Sequence, residues 1–85
     1  VIGQDAARDL AAARYRMLFL GKYYETVDGV RHPFPTLDGS SFRDVVASGD
    51  AWLVNCAPLA GLTVEARVSR DGRWVEINQV SYASQ

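Results

Sequence analysis

Tyr23, Tyr24, His32, Asp38, Ser40 and Ser41 are the side chains of this 85-residue chain whose types and spacing can do chemistry. A His–Asp pair with a Tyr hydroxyl can move protons near neutral pH, because an unperturbed imidazole titrates at about 6.5. His32, Asp38 and Tyr24 are therefore the candidate catalytic residues. The stretch His32-Pro33-Phe34-Pro35-Thr36-Leu37-Asp38-Gly39 reads as a loop. Its two prolines and glycine remove ladder donors and break helical geometry. Loops often carry catalytic groups. A His ahead of a Pro is more commonly a solvated turn residue, and tyrosines beside it are more commonly a rim with wet hydroxyls.

The rest of the chemical inventory is thin. The single cysteine, Cys56, lies in the apolar run Trp52-Leu53-Val54-Asn55-Cys56-Ala57. It reads as a small buried hydrophobe, with no neighbouring base to lower its pKa and no second cysteine for an internal disulfide. One His and one Cys do not make a metal site. No Gly-rich phosphate loop, Ser elbow or paired-carboxylate pattern occurs, so no cofactor site is expected. Lys+Arg number 9 against 10 Asp+Glu, for a net charge of -1. Without clustered cations, nucleic acid is not an expected partner. The longest apolar run, Met17-Leu18-Phe19-Leu20, is far below the roughly 20 residues of a membrane span. The chain opens on Val1, which reads as a processed or trimmed start.

These residues must be positioned by a few elements. Ile2, Ala6, Leu10, Ala13, Met17, Leu20, Tyr24 and Val27 recur at three- and four-residue steps, which predicts an amphipathic helix over about 4–26. Gly21 opens a second possibility. It can end the helix and leave Tyr23–Val27 and Val30–Phe34 as a hairpin around Asp28-Gly29. Leu18, Phe19 and Tyr23 fall beside the main stripe, and a helix apolar on more than one side usually has two neighbours.

Ser41 with Asp44 approximates a capping box, and Phe42, Val45 and Val46 supply an apolar edge before Gly49. That pattern predicts a short second helix over about 41–48. Strands are predicted at about 51–57, 62–70 and 73–82, with a turn at Pro58-Leu59-Ala60-Gly61. Asp71-Gly72 is the strongest hairpin signal, and its two-residue loop sets a register. Val68 then faces Val75, Arg67 faces Glu76 and Ala66 faces Ile77. The apolar parity shifts after Gln79, which calls for a bulge there. The expected architecture over residues 1–85 is a single α+β domain. A long N-terminal helix packs on a three- to four-stranded antiparallel meander, with a short second helix.

The helix carrying Tyr23-Tyr24-Glu25-Thr26-Val27-Asp28, followed by a meander that turns at Asp71-Gly72-Arg73-Trp74, resembles the cystatin/NTF2-like folds. That resemblance implies a small-molecule-binding or lyase/isomerase-type domain. Its pocket would lie between helix and sheet, lined by Met17, Tyr24, Trp52 and Trp74. A long helix followed by a meander is also similar to the globular head of a pilin, which implies an assembly subunit with a hydrophobic helical extension before Val1. The residues themselves favour a third reading. A chain this short buries only roughly 60–65% of its unfolded surface, yet 48% of it is apolar. With no chemical motif, that composition points to a non-enzymatic interaction or self-associating domain. Its partner would be a protein or a second copy. Arg16, Leu18, Phe19 and Tyr23 are the expected interface anchors, because aromatics and Arg dominate interface energetics. A sheet edge offers a second route by strand addition.

Overall fold

The computed structural model describes residues 1–59 and 61–82. Ala60, assigned by sequence to a turn, lies outside the described residues. The order is α1 (Gln4–Phe19), β1 (Tyr23–Glu25), β2 (Arg31–Pro33), a 3-10 turn (Gly39–Ser41), β3 (Asp44–Ser48), β4 (Ala51–Leu59), β5 (Leu62–Ser69) and β6 (Val75–Tyr82). Strands β3-β4-β5-β6 form one antiparallel meander, and β1-β2 form a separate hairpin. The α+β architecture with a long N-terminal helix is the one the sequence predicts.

Two elements differ from expectation. The helix ends at Phe19, not near residue 26. Gly21 adopts a left-handed φ of +74°, and the Lys22 amide returns to the Phe19 carbonyl at 3.0 Å. This is glycine's usual role just past a helix, where a Cβ would be strained. Tyr23–Glu25 then pairs with Arg31–Pro33 around Asp28-Gly29. The three- and four-residue spacing through Tyr24 and Val27 was coincidental. The second helix is also absent. Its sequence splits into the 3-10 turn and the edge strand β3, in keeping with the β-branched pair Val45-Val46. The capping pair is Asp38 with Ser41, not Ser41 with Asp44: the Asp38 amide donates to Ser41 Oγ at 3.1 Å. Gly49, at φ +60°, makes the two-residue loop that returns Ser48 to Ala51.

The β5–β6 register is Val68↔Val75, Arg67↔Glu76 and Ala66↔Ile77, as expected. The loop is wider than the expected two residues: the Gly72 amide donates to the Ser69 carbonyl at 2.9 Å and the Ser69 amide to the Trp74 carbonyl at 3.0 Å, and only Gly72 of the Asp-Gly pair takes a positive φ, +75°. Glu65 then pairs with Gln79, so Asn78 is the bulged residue, one position from where the parity shift put it. Val64, Ala66 and Val68 face the helix and are fully buried.

The helix face that meets this sheet is Ala7, Ala11 and Tyr15, with Phe19 half-buried beyond them. It is not the predicted stripe. Ile2 and Leu10 do pack on the core, but Met17 is 76% and Leu20 78% exposed. The alanines let the helix backbone approach the sheet closely, which a Leu or Met at those places would prevent. Of the four side chains expected to line a pocket there, Trp52 lies in the core and Met17 and Trp74 are exposed.

Candidate functional site

The hairpin register brings two of the three catalytic candidates together. Tyr24 pairs with His32 across β1–β2, and their rings stack at 5.4 Å with 25° between planes. Asp38 belongs to a different cluster. Its carboxylate accepts from Ser40 Oγ at 2.6 Å and from Ser41 Oγ at 3.4 Å, and these bonds hold it below the usual carboxylate range. The acid electrostatically linked to His32 is Asp28, at the tip of the hairpin. Thr26 donates to it, the Val30 amide donates at 3.2 Å, and the charge of His32 adds to the lowering. Asp28 was read from sequence only as a turn residue. The arrangement gives an aromatic–imidazole stack on an exposed hairpin, with the acid serving the turn.

Cys56 lies at the wall of two clefts. One, of about 620 Å³, is lined by Pro35, Ser41, Arg43, Asp44 and Pro58. The other, of about 360 Å³, is lined by Asp44, Asn55, Glu65 and Gln79. They meet where Ala57 and Pro58 break the β4–β5 ladder. The first has the volume of a ligand pocket. Its chemistry is weak. Burial pushes the Cys56 thiol up to about 11, so it stays protonated at neutral pH. Iodoacetamide is expected to modify Cys56 about a hundredfold more slowly than a free thiol at pH 8, since the thiolate is the nucleophile. The rate should rise about tenfold per pH unit toward pH 11. The folded protein holds this proton to higher pH than the unfolded chain, so the same shift lowers stability as pH rises from about 9 toward 11. A fast, pH-independent reaction at neutral pH would show an accessible, activated thiol instead.

No family model, curated protein or solved structure matches the chain.

Among the described residues, no group of three or more His, Cys, Asp or Glu is placed to hold a metal ion. No described helix is long and apolar enough to cross a membrane.

The four interface candidates take different places. Phe19 turns inward, against Tyr15 at 5.1 Å and Phe34 at 4.8 Å between ring centroids. Phe34 in turn meets Tyr24 at 5.1 Å. This chain of rings fastens the hairpin to the end of α1, helped by the Phe34 amide donating to the Lys22 carbonyl at 3.1 Å. Arg16 donates to the Leu37 carbonyl at 3.1 Å and ties the helix to the loop. Leu18 and Tyr23 remain exposed, with the Arg31 guanidinium over the Tyr23 ring at 5.0 Å.

Sequence reasoning missed the size of this exposed region. Ten large apolar side chains are exposed among the described residues, and six of them (Met17, Leu18, Leu20, Tyr23, Val27 and Val30) fall within residues 17–30. Scattered apolar residues are normal on surfaces, whereas their crowding into one short stretch of chain points to association. The signal available beforehand was Gly21 itself. A helix stopped there turns Leu20 and Val27 from core positions into surface ones.

Proposed function

We propose that this domain is a non-enzymatic protein-interaction module that engages a protein partner with its apolar end, the last turn of α1 and the β1–β2 hairpin. The observation that carries the reading is the crowding of exposed apolar side chains into residues 17–30. The hairpin gives that surface a firm base, because the Phe19–Phe34–Tyr24 ring chain holds it to the helix. Tyr23, backed by Arg31, is suited to a hot spot, since aromatics lose little side-chain entropy on docking.

A photo-crosslinking amino acid at Leu20 or Val27, in extract from the native cells, tests this. A discrete adduct at these positions, and none with the probe at Arg73 on the β5–β6 turn, is the expected result. Leu20 and Val27 are 78% and 88% exposed, so a Leu20→Asp, Val27→Asp double variant loses little packing. It should leave the far-UV circular dichroism unchanged. Affinity for the captured partner should fall at least tenfold, or about 1.4 kcal/mol. Undiminished affinity in that variant, or adducts equally abundant at Arg73, would remove the apolar end from the account.

A further inference from the structure

We infer that the free edge of β3 pairs with the same strand of a second copy, joining two four-stranded sheets into one continuous eight-stranded sheet about a twofold axis at Val46. This inference does not depend on the apolar end and goes beyond it.

The two edges of the sheet differ. β6 carries the bulge at Asn78, a device that spoils edge-to-edge pairing. β3 runs Asp44-Val45-Val46-Ala47-Ser48 with no bulge, proline or basic residue, and its restraints are its shortness and the charge of Asp44 at its start. It pairs with β4 on one side, and its other side is a row of backbone groups seeking partners. Val46 is 57% exposed and Ala47 is exposed as well.

The occupant follows from self-complementarity. Antiparallel pairing centred on Val46 matches all five residues: Val46 faces its own mate, Val45 faces Ala47, and Asp44 faces Ser48. Within one sheet, Val46 pairs with Leu53 and Asp44 with Asn55. The joined sheet therefore carries an apolar row in which two Val46 side chains lie between two Leu53 side chains. Asp44 falls between Asn55 of its own sheet and Ser48 of the other copy, both of which carry hydrogen-bond donors. Arg43 arrives opposite Gly49 of the other copy, which sets no side chain against it, and the symmetry repeats the pair. Neighbouring registers are worse. One sets Asp44 against Asp50. The other sets Ala47 and Ser48 against Arg43 and Phe42, and Phe42 is buried in the core.

Light scattering on a size-exclusion column, from about 10 µM to 1 mM protein, reads the outcome. The wild type should reach dimer mass. Val46→Lys places like charges across the axis and should raise the dissociation constant at least tenfold with unchanged far-UV circular dichroism. Mild oxidation of Val46→Cys should give a covalent dimer, because Cα atoms across an antiparallel pair lie about 4.5–5.5 Å apart, within disulfide reach. Ser48→Cys, whose mate is Asp44, should not cross-link, and wild-type Cys56 is buried and serves as the control. A dimer kept by the Leu20→Asp, Val27→Asp variant supports the edge. A wild type monomeric at 1 mM, a Val46→Lys mass equal to wild type, or Ser48→Cys linking as fast as Val46→Cys overturns it. A dimer lost only in the Leu20→Asp, Val27→Asp variant also overturns the edge, and assigns self-association to the apolar end.

Discussion

Tyr15→Ala is expected to bring the domain to the margin of folding, with a loss of about 3–5 kcal/mol in urea unfolding followed by Trp fluorescence. Tyr15 is 2% exposed and is the largest fully buried side chain of the helix. Its ring packs on the core residues of β4 and β5 and stacks on Phe19 at 5.1 Å. Its hydroxyl donates to the Pro35 carbonyl at 3.0 Å, so truncation also leaves that acceptor without its donor. A single domain of 85 residues has roughly 4–13 kcal/mol in total, by the usual stability per residue. Tyr15→Phe keeps the ring and should cost only about 1–2 kcal/mol, the cost of one unsatisfied acceptor. Burial also pushes the phenol up to about 12. The folded state thus keeps this proton after the unfolded chain has released it, and wild-type stability should fall as pH climbs from 10 toward 12. Tyr15→Phe should lack that part of the alkaline decline. A loss below about 1 kcal/mol in Tyr15→Ala would mean that the helix is held chiefly by its alanine contacts.

What the sequence made legible depended on whether local signals were sufficient. The alternation of Val64, Ala66 and Val68 against Val75 and Ile77 about Asp71-Gly72 gave register and facing residues, although the loop proved wider than two residues. The parity shift after Gln79 marked the bulge to within one position. Around Gly21 the local signals conflicted. The spacing of Tyr24 and Val27 suited a helix, while the β-favouring run Tyr23-Tyr24-Glu25-Thr26 suited a strand. Ring contacts from Phe34 to Phe19 and Tyr24, made only after the chain has turned, favour the strand. β3 is stabilised by β4 and carries little signal of its own. The buried helix stripe was hidden because alanine contributes little to an apolar pattern. Ala7, Ala11 and Tyr15 repeat at four-residue steps, but Met17 and Leu20 outweigh them in hydrophobicity while facing solvent. The same inversion governs the site. His32 and Tyr24 meet because of a register that required the hairpin, whereas Asp38 was already committed to Ser40 and Ser41.

Phe34→Ala is expected to release the hairpin from the helix without unfolding the sheet. Phe34 sits between Phe19 and Tyr24, at 4.8 and 5.1 Å, and so links the two parts. The loss should be about 2–3 kcal/mol, less than for a fully buried ring, because Phe34 is half-buried. Hydrogen exchange separates this local effect from a global one. The Thr26, Gly29 and Phe34 amides, which donate to Val30, Thr26 and Lys22, should exchange at least tenfold faster. Amides of β4 and β5 should change only as far as global stability changes. Uniform acceleration through the sheet would show that the hairpin is part of the main cooperative unit. A released hairpin would disperse the exposed residues at 17–30, because Met17, Leu18 and Leu20 stay with the helix while Val27 and Val30 move away. Partner capture at Leu20 should then weaken although no captured side chain has been altered. That outcome separates a preorganised surface from a merely sticky one, since a sticky end would bind equally well with its hairpin loose.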